Sequence, residues 1–378
     1  MDPDLSHDQR LLLEATENLI RSSLSPEVVR SLVDGTGEFP SSARSAYWSR
    51  GAELGWFAFL APEELGGGGV SGRGLCDAAV FAELRGRHLQ PGCFVDTNVT
   101  VAALTREGTA GQRSEILPDL VAGASSAAWA MADPAGDWSG GAGLECLPAG
   151  GGYRLSGLKG LVVDAHLADW LLVTAEAPEG PTQFLLPSSA PGIAVEMLDG
   201  LDLTRSLCRI RFESVQAGLS AVVGTPGGAG PAIDAQLQTA CVLGGAETVG
   251  AMQHLFDMSV RYSKDRIAFG RPIGSFQALK HQLADTSLAV ETSHACLAGA
   301  ARAVEAADEG AAEAASLAKS LIGDAAVEVA HKSWQLFGGI SYTWEHDFHL
   351  YLRRLTADAS LYGSPTWHRE RVCRLAGV

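Results

Sequence analysis

Apolar residues near the start of the chain recur at helical spacing. Leu11, Leu12, Ala15, Leu19 and Ile20 share one stripe and predict an amphipathic helix. The run from Ala61 to Gly69 must break that pattern, because its four consecutive glycines, 66–69, cannot hold a helix. A further helix pair is predicted through Phe81–Leu84 and Val99–Leu104. The chain therefore reads as mostly helical from Asp4 to about Gly123.

From about Ala127 to Val223 the period shortens. Runs such as Trp170–Val173 and Arg209–Phe212 have strand length, and turn-forming clusters at Pro134–Gly141 and Gly150–Gly152 separate them. Short strands with turns and no helical stretches between them predict a small antiparallel β-domain. The glycine- and proline-rich segment 224–231 reads as the linker out of it.

Beyond Ala232 the helical period returns, with Pro272 the one proline before Phe337. Met252, Leu255, Phe256, Ser259 and Tyr262 line one face, and Leu317, Leu321, Ala325 and Val329 another. Long helices joined by short loops predict an antiparallel bundle. The expected α+β organisation is a helical domain over 1–125, a β-domain over 126–226 and a helical domain over 227–378.

Composition narrows the function. Hydrophobic residues make up 46% of the 378, enough to exclude a disordered or fibrous chain. The net charge of −16 would repel phosphate backbones and argues against nucleic acid as a partner. No apolar run approaches the ~18–20 residues of a membrane span. Met1 is followed by Asp2, Asp4 and His7 without a basic or apolar leader. Seven cysteines, odd in number and never Cys-x-x-Cys, fit reduced thiols without a zinc site. The expectation is a cytoplasmic protein.

One stretch opposes the acidic body. Residues 261–280 hold five basic residues and one acid. Such a patch suits a phosphorylated ligand, with arginine as a fork-shaped donor. On charge alone, a solvated basic helix end explains it better.

The letters shift that balance. Arg266-x-x-Phe269-Gly270-x-x-Ile273-x-x-Phe276-Gln277, followed by Leu283-Ala284-Asp285, resembles the C-terminal signature of the acyl-CoA dehydrogenase family. A second signature follows at Gln335-Leu336-Phe337-Gly338-Gly339-Ile340-Ser341-Tyr342-Thr343-x-Glu345. Weaker echoes lie at Glu53–Trp56, Pro62–Gly67, Leu117-Pro118, Gly157-x-Lys159 and Ala168-Asp169. The resemblance spans nearly the whole chain. It implies helices, then a small β-barrel, then a four-helix bundle.

It also implies FAD, with the adenosine diphosphate half clasped across a subunit interface. The matching residues are Arg266 on the pyrophosphate, Phe269 and Phe276 beside the cofactor, and Gln277 as an amide donor. Gln335, Gly338 and Gly339 come from the second motif, where missing side chains let backbone approach phosphate. Taken alone, Gly338-Gly339 reads as an ordinary helix C-cap.

The family's reaction needs a carboxylate within reach of the proton beside the thioester carbonyl. Its two positions, matched from Arg354 and from Gly250-x-Met252-Gln253, fall on Gly363 and Ala240, so no catalytic residue is expected. Glu247 lies two turns from Ala240, ~10 Å along a helix. Glu345, Asp347 and Glu370 read as surface or paired carboxylates, and His346 and His349 as structural. The flavin-ring side also departs from the pattern. Ala132-Asp133-Pro134 and Leu161-Val162-Val163 stand where hydroxyl-bearing residues are usual, and Asp164 adds an anion.

A clasp without a base resembles the non-catalytic subunit of two-plus-two heterotetrameric acyl-CoA dehydrogenases of bacterial steroid side-chain catabolism. The implied partners are a homologous subunit carrying the catalytic glutamate, an acyl-CoA substrate and an electron acceptor. Two alternatives stay open. One is a self-sufficient homomeric enzyme using Asp164 or Glu247, the other a flavin-free scaffold.

Overall fold

The computed structural model describes residues 5–37, 39–140 and 143–378. Asp4, at the predicted helical start, and Gly141, in the predicted turn cluster, lie outside these.

Six helices come first: α1 (His7–Ser23), α2 (Pro26–Val33), α3 (Ser41–Glu53), α4 (Gly74–Arg87), α5 (Phe94–Glu107) and α6 (Leu117–Val121). Their starts are written in local chemistry. Ser6 and Gln9 cap α1 reciprocally, and Ser25 caps α2 with Pro26 in its first turn. The predicted stripe on α1 is off at one position: Leu11 is 51% exposed, and Leu13 is buried beside Leu19 and Ile20 instead.

Eight strands follow: β1 (Ala127–Ala130), β2 (Leu144–Ala149), β3 (Gly152–Val163), β4 (Trp170–Ala177), β5 (Gly180–Pro187), β6 (Ile193–Leu198), β7 (Leu207–Gly218) and β8 (Val222–Val223). They form one sheet in the order β6-β7-β3-β2-β4-β5-β8, with β1 beside β4. The pairing is antiparallel as expected, except that β4 takes β1 and β2 in parallel. This domain has its own core, including Cys146, Leu155, Leu171, Phe184 and Ile210.

The chain then enters α7 (Gly230–Asp265), already helical at Pro231 where a linker was expected. A two-residue-per-strand hairpin, β9 (Ile267–Ala268) and β10 (Arg271–Pro272), leads to α8 (Gln277–Glu305) and α9 (Ala311–Phe337). Two short helices, α10 (Phe348–Asp358) and α11 (Pro365–Leu375), finish the chain. Leu317 of the predicted α9 stripe is 51% exposed, whereas Ala325 and Val329 are buried.

One continuous core joins the N-terminal helices to α7–α10. At its centre α4 crosses α7 almost backbone to backbone. A Cβ on Gly86 would lie 1.8 Å from the Glu247 carbonyl oxygen, and one on Gly250 1.8 Å from that of Glu83. Glycine at both positions is what allows this approach. Among the described residues, no helix is long and apolar enough to cross a membrane.

Candidate functional site

The two C-terminal motifs meet at one end of the helical domain. Tyr262, in the last turn of α7, stacks on Phe337, in the last turn of α9, with centroids 4.5 Å apart. Its hydroxyl also donates to the Phe337 carbonyl at 3.4 Å. Gln282 of α8 donates to the Lys332 carbonyl of α9 at 2.8 Å, closing the same end.

Arg266 follows α7 and is exposed. Between β9 and β10, Phe269 and Gly270 have φ of +52° and +78°, the two-residue turn that suits strand twist. That turn holds the Phe269 ring 95% exposed. Phe276 is half-buried, edge-on to Phe269 at 6.2 Å and covered by the Arg271 guanidinium at 4.1 Å. Gln277 opens α8 and is exposed, as is Gln335 near the end of α9.

Gly338 ends α9 with φ +62°, so the helix-cap role is filled. A Cβ on Gly338 or Gly339 would meet nothing within 4 Å. A short 3-10 turn, Gly338–Tyr342, continues from there.

Among the described residues, the polar ends of Arg266, Gln277 and Gln335 have no partner within the chain. Free donors, two open glycines and the first-turn amides of α8 are the chemistry that a pyrophosphate needs. These residues fit the adenosine diphosphate half of FAD. Beside them an apolar cleft of about 540 Å³, lined by Phe256, Val260 and Leu283 with Lys264 and Lys280, separates α7 from α8.

The matched base positions are different. Ala240 is fully buried on α7. Gly363 has φ +104°, and a Cβ there would fall 2.6 Å from His368 Nε2 and 2.9 Å from the Trp367 ring. Three rings fill the space next to it. Trp138 packs on Tyr362 at 5.3 Å, and Trp129 lies 6.1 Å from Trp138 and 6.2 Å from Tyr362. All three are 3% exposed or less. The Tyr362 hydroxyl donates to Asp96 Oδ1 at 2.9 Å, and the Trp129 amide donates to Oδ2 at 3.0 Å. Burial pushes the Asp96 carboxyl up to about 7 against these hydrogen bonds.

On the ring side, Ala132, Val162 and Val163 are buried, and Leu161 is partly so. They offer no side-chain hydrogen-bonding group. Lys159 is buried and donates to the Met131 carbonyl at 2.8 Å, and burial draws its ammonium down to about 8. The side chains at these matched positions therefore supply no hydrogen bond to a flavin ring, in contrast to the free donors at the clasp.

Neither alternative base is free. Asp164 is buried at φ +46°, and its two carboxylate oxygens accept from the amides of Gly92 and Ser206, each at 2.8 Å. Burial raises its pKa nonetheless.

Glu247 belongs to a buried charge network. It accepts from Arg205 Nη1 at 3.1 Å and lies 3.7 Å from Arg85 Nε. Arg205 also pairs with Asp202 at 3.2 Å and with Asp358, and Arg354 pairs with Asp202 at 2.6 Å. Arg85 is enclosed by Trp48, Trp56 and Phe94, with its guanidinium carbon 4.7–5.4 Å from their ring centres. The six charges come from α4, α7, α10 and the β6–β7 turn, so the network ties the sheet to the helices.

Of the other acids, Asp347 pairs with Arg30 at 3.0 Å, while Glu345 and Glu370 are exposed. His349 stacks under Trp344, and His346 accepts from the Phe348 amide.

The sequence reasoning missed Asp96, Trp138 and most of the network. Asp202-x-Thr204-Arg205 carried a signal, because Asp202 accepts from both the amide and the hydroxyl of Thr204.

This order of helices, sheet and helices is the fold of flavin-dependent acyl-thioester oxidoreductases. The chain belongs to the acyl-CoA dehydrogenase family: residues 6–124 match its N-terminal domain and residues 229–376 its C-terminal domain. It is 31% identical over 372 residues to acyl-CoA dehydrogenase IpdE2 of Mycolicibacterium smegmatis, covering 98% of each chain. Among solved structures it resembles the Tcur3481–Tcur3483 steroid acyl-CoA dehydrogenase, with TM-score 0.86, 28% identity and 98% of each chain covered. The ChsE4–ChsE5 complex of Mycobacterium tuberculosis shares the fold, with TM-score 0.87, 24% identity and coverage of 100% of this chain and 99% of that one. Members of the family are oxidoreductases that use FAD.

Proposed function

We propose that this chain is the non-catalytic subunit of a heteromeric acyl-CoA dehydrogenase. It clasps the adenosine diphosphate half of an FAD whose ring and catalytic carboxylate belong to a homologous partner. One contrast carries this reading. The donors of the clasp are exposed and unpartnered among the described residues, while of the matched base positions Ala240 is fully buried and Gly363 is closed in by Trp367 and His368.

In the assembled site Arg266 neutralises pyrophosphate charge, Gln277 and Gln335 donate amide hydrogens, and Gly338-Gly339 admits phosphate close to backbone. The flavin, when bound, supplies a hydride acceptor for the α,β-dehydrogenation of an acyl-CoA. This chain contributes binding and orientation only. Its likeness to a steroid acyl-CoA dehydrogenase supports a steroid-derived acyl-CoA as the substrate class.

Co-expression with a homologous subunit that carries the glutamate tests the assignment. The expected product is a heterotetramer with one FAD for every two chains. A stable, fully flavinated homotetramer of this chain alone would overturn it.

A further inference from the structure

Beyond Phe337, which Tyr262 holds, most of the clasp segment that follows α9 is exposed. Gly338 and Gly339 have open space around them, and Tyr342 is 76% exposed. Within the segment, the amide and hydroxyl of Thr343 both donate to the Ile340 carbonyl, and Tyr342 packs on Trp334 at 5.1 Å. Ser341 is buried with its hydroxyl donating to the Gly338 carbonyl at 2.6 Å, so these contacts tie the turn back onto the end of α9.

A second hold comes from the other end of the sequence. Arg30 of α2 donates to the Trp344 carbonyl, pairs with Asp347 at 3.0 Å and lies 5.6 Å from the Trp344 ring centre. Asp34, just past α2, accepts from Trp344 Nε1 at 2.7 Å and holds Arg30 Nε at 3.0 Å. On its other side the indole stacks on His349 at 4.5 Å. Trp344 is thus gripped by α2 and α10 two residues beyond Tyr342.

We infer that Arg30, Asp34 and Trp344 form a latch by which the N-terminal helices position the Gln335–Tyr342 half of the cofactor clasp. These are positioning residues that act through backbone. Freeing Trp344 lets the turn wander, and binding FAD must then order it again. The inference rests on the clasp assignment above.

The test is FAD affinity of the assembled complex, measured by flavin fluorescence after stripping and titrating back FAD. Losing the guanidinium contacts to Trp344, Asp347 and Asp34 in Arg30→Ala, or the indole N–H in Trp344→Phe, should weaken FAD by roughly 5–20-fold. Complex mass should be unchanged, and Arg30→Lys should recover part of the loss. Trp344→Phe keeps the ring on His349, so it reports even where Arg30→Ala folds poorly. Arg21→Ala, which removes only the surface pair with Glu17, should leave affinity at the parent value.

Parent-like affinity in both Arg30→Ala and Trp344→Phe, with FAD lost in Arg266→Ala, would overturn the latch and leave the clasp standing. Parent-like affinity in Arg266→Ala as well would overturn both.

Discussion

The Tyr362 hydroxyl meets the Asp96 carboxylate at 2.9 Å, joining the corner between α10 and α11 to the first turn of α5. The pair lies beside Gly363, where the family's base would stand.

That contact makes stability depend on pH. Burial raises the Asp96 carboxyl from its ordinary 3.8 to about 7, so between these values the folded chain keeps a proton that the unfolded chain has lost. Its contribution is complete at low pH and is lost as pH rises through about 7, at up to ~1.4 kcal/mol per pH unit. Urea unfolding from pH 5 to 8 should show the parent losing stability more steeply than Asp96→Asn. Parallel curves would mean that Asp96 does not titrate in this range.

Restoring a side chain at Gly363 should not restore chemistry. Gly363→Ala places a methyl against His368 and Trp367 at a backbone angle that disfavours it, and should cost ~1–3 kcal/mol. Gly363→Glu should cost at least as much, and single-turnover flavin reduction should stay at the parent rate in the complex. A gain of a hundredfold or more would show that an acyl chain reaches this pocket.

Glu247→Gln separates a structural acid from a base. It leaves Arg205 and Arg85 short of a counter-charge in a buried network, a loss of about 3–5 kcal/mol. A general base contributes ~10²–10⁴-fold, so flavin reduction in the FAD-loaded complex should change far less than that. Rate loss of that size with unfolding unchanged would move the catalytic base into this chain.

Arg266→Ala should weaken FAD by ~10–100-fold, the worth of a charge-assisted contact to phosphate. Arg266→Lys should restore only part, because an ammonium cannot make the forked contact. Flavin content equal to the parent in the purified Ala variant would mark Arg266 as an ordinary surface cation.

The order of helices, strands and helices was readable because periodicity follows burial along most elements. The two C-terminal motifs were readable because their residues sit close together in sequence, and α7 and α9 deliver both to one end. The closed site was not, because it is assembled from distant polar residues that look solvated in sequence. Asp96, Thr97 and Asn98 are polar residues just before the predicted Val99–Leu104 helix, yet all three are buried on α5. Asp202 and Arg205 sit among exposed leucines, with Leu201 and Leu203 turned outward, and only the fold shows that the charges point inward. Glu247 was visible as an acid near the matched base position. Its engagement by Arg205 and Arg85, from another domain and another helix, could not be read from local spacing.

The hairpin that holds Phe269 outward bears on the protein's life in the cell. A newly made, unassembled copy carries that ring beside exposed Ile267, with Tyr342 also exposed at the same end. Surfaces of this kind invite chaperones and proteases, which continually sort unassembled chains. In the proposed heteromer the lifetime of an orphan copy is then set by how soon its partner is translated, and unequal synthesis would be trimmed by degradation of the surplus.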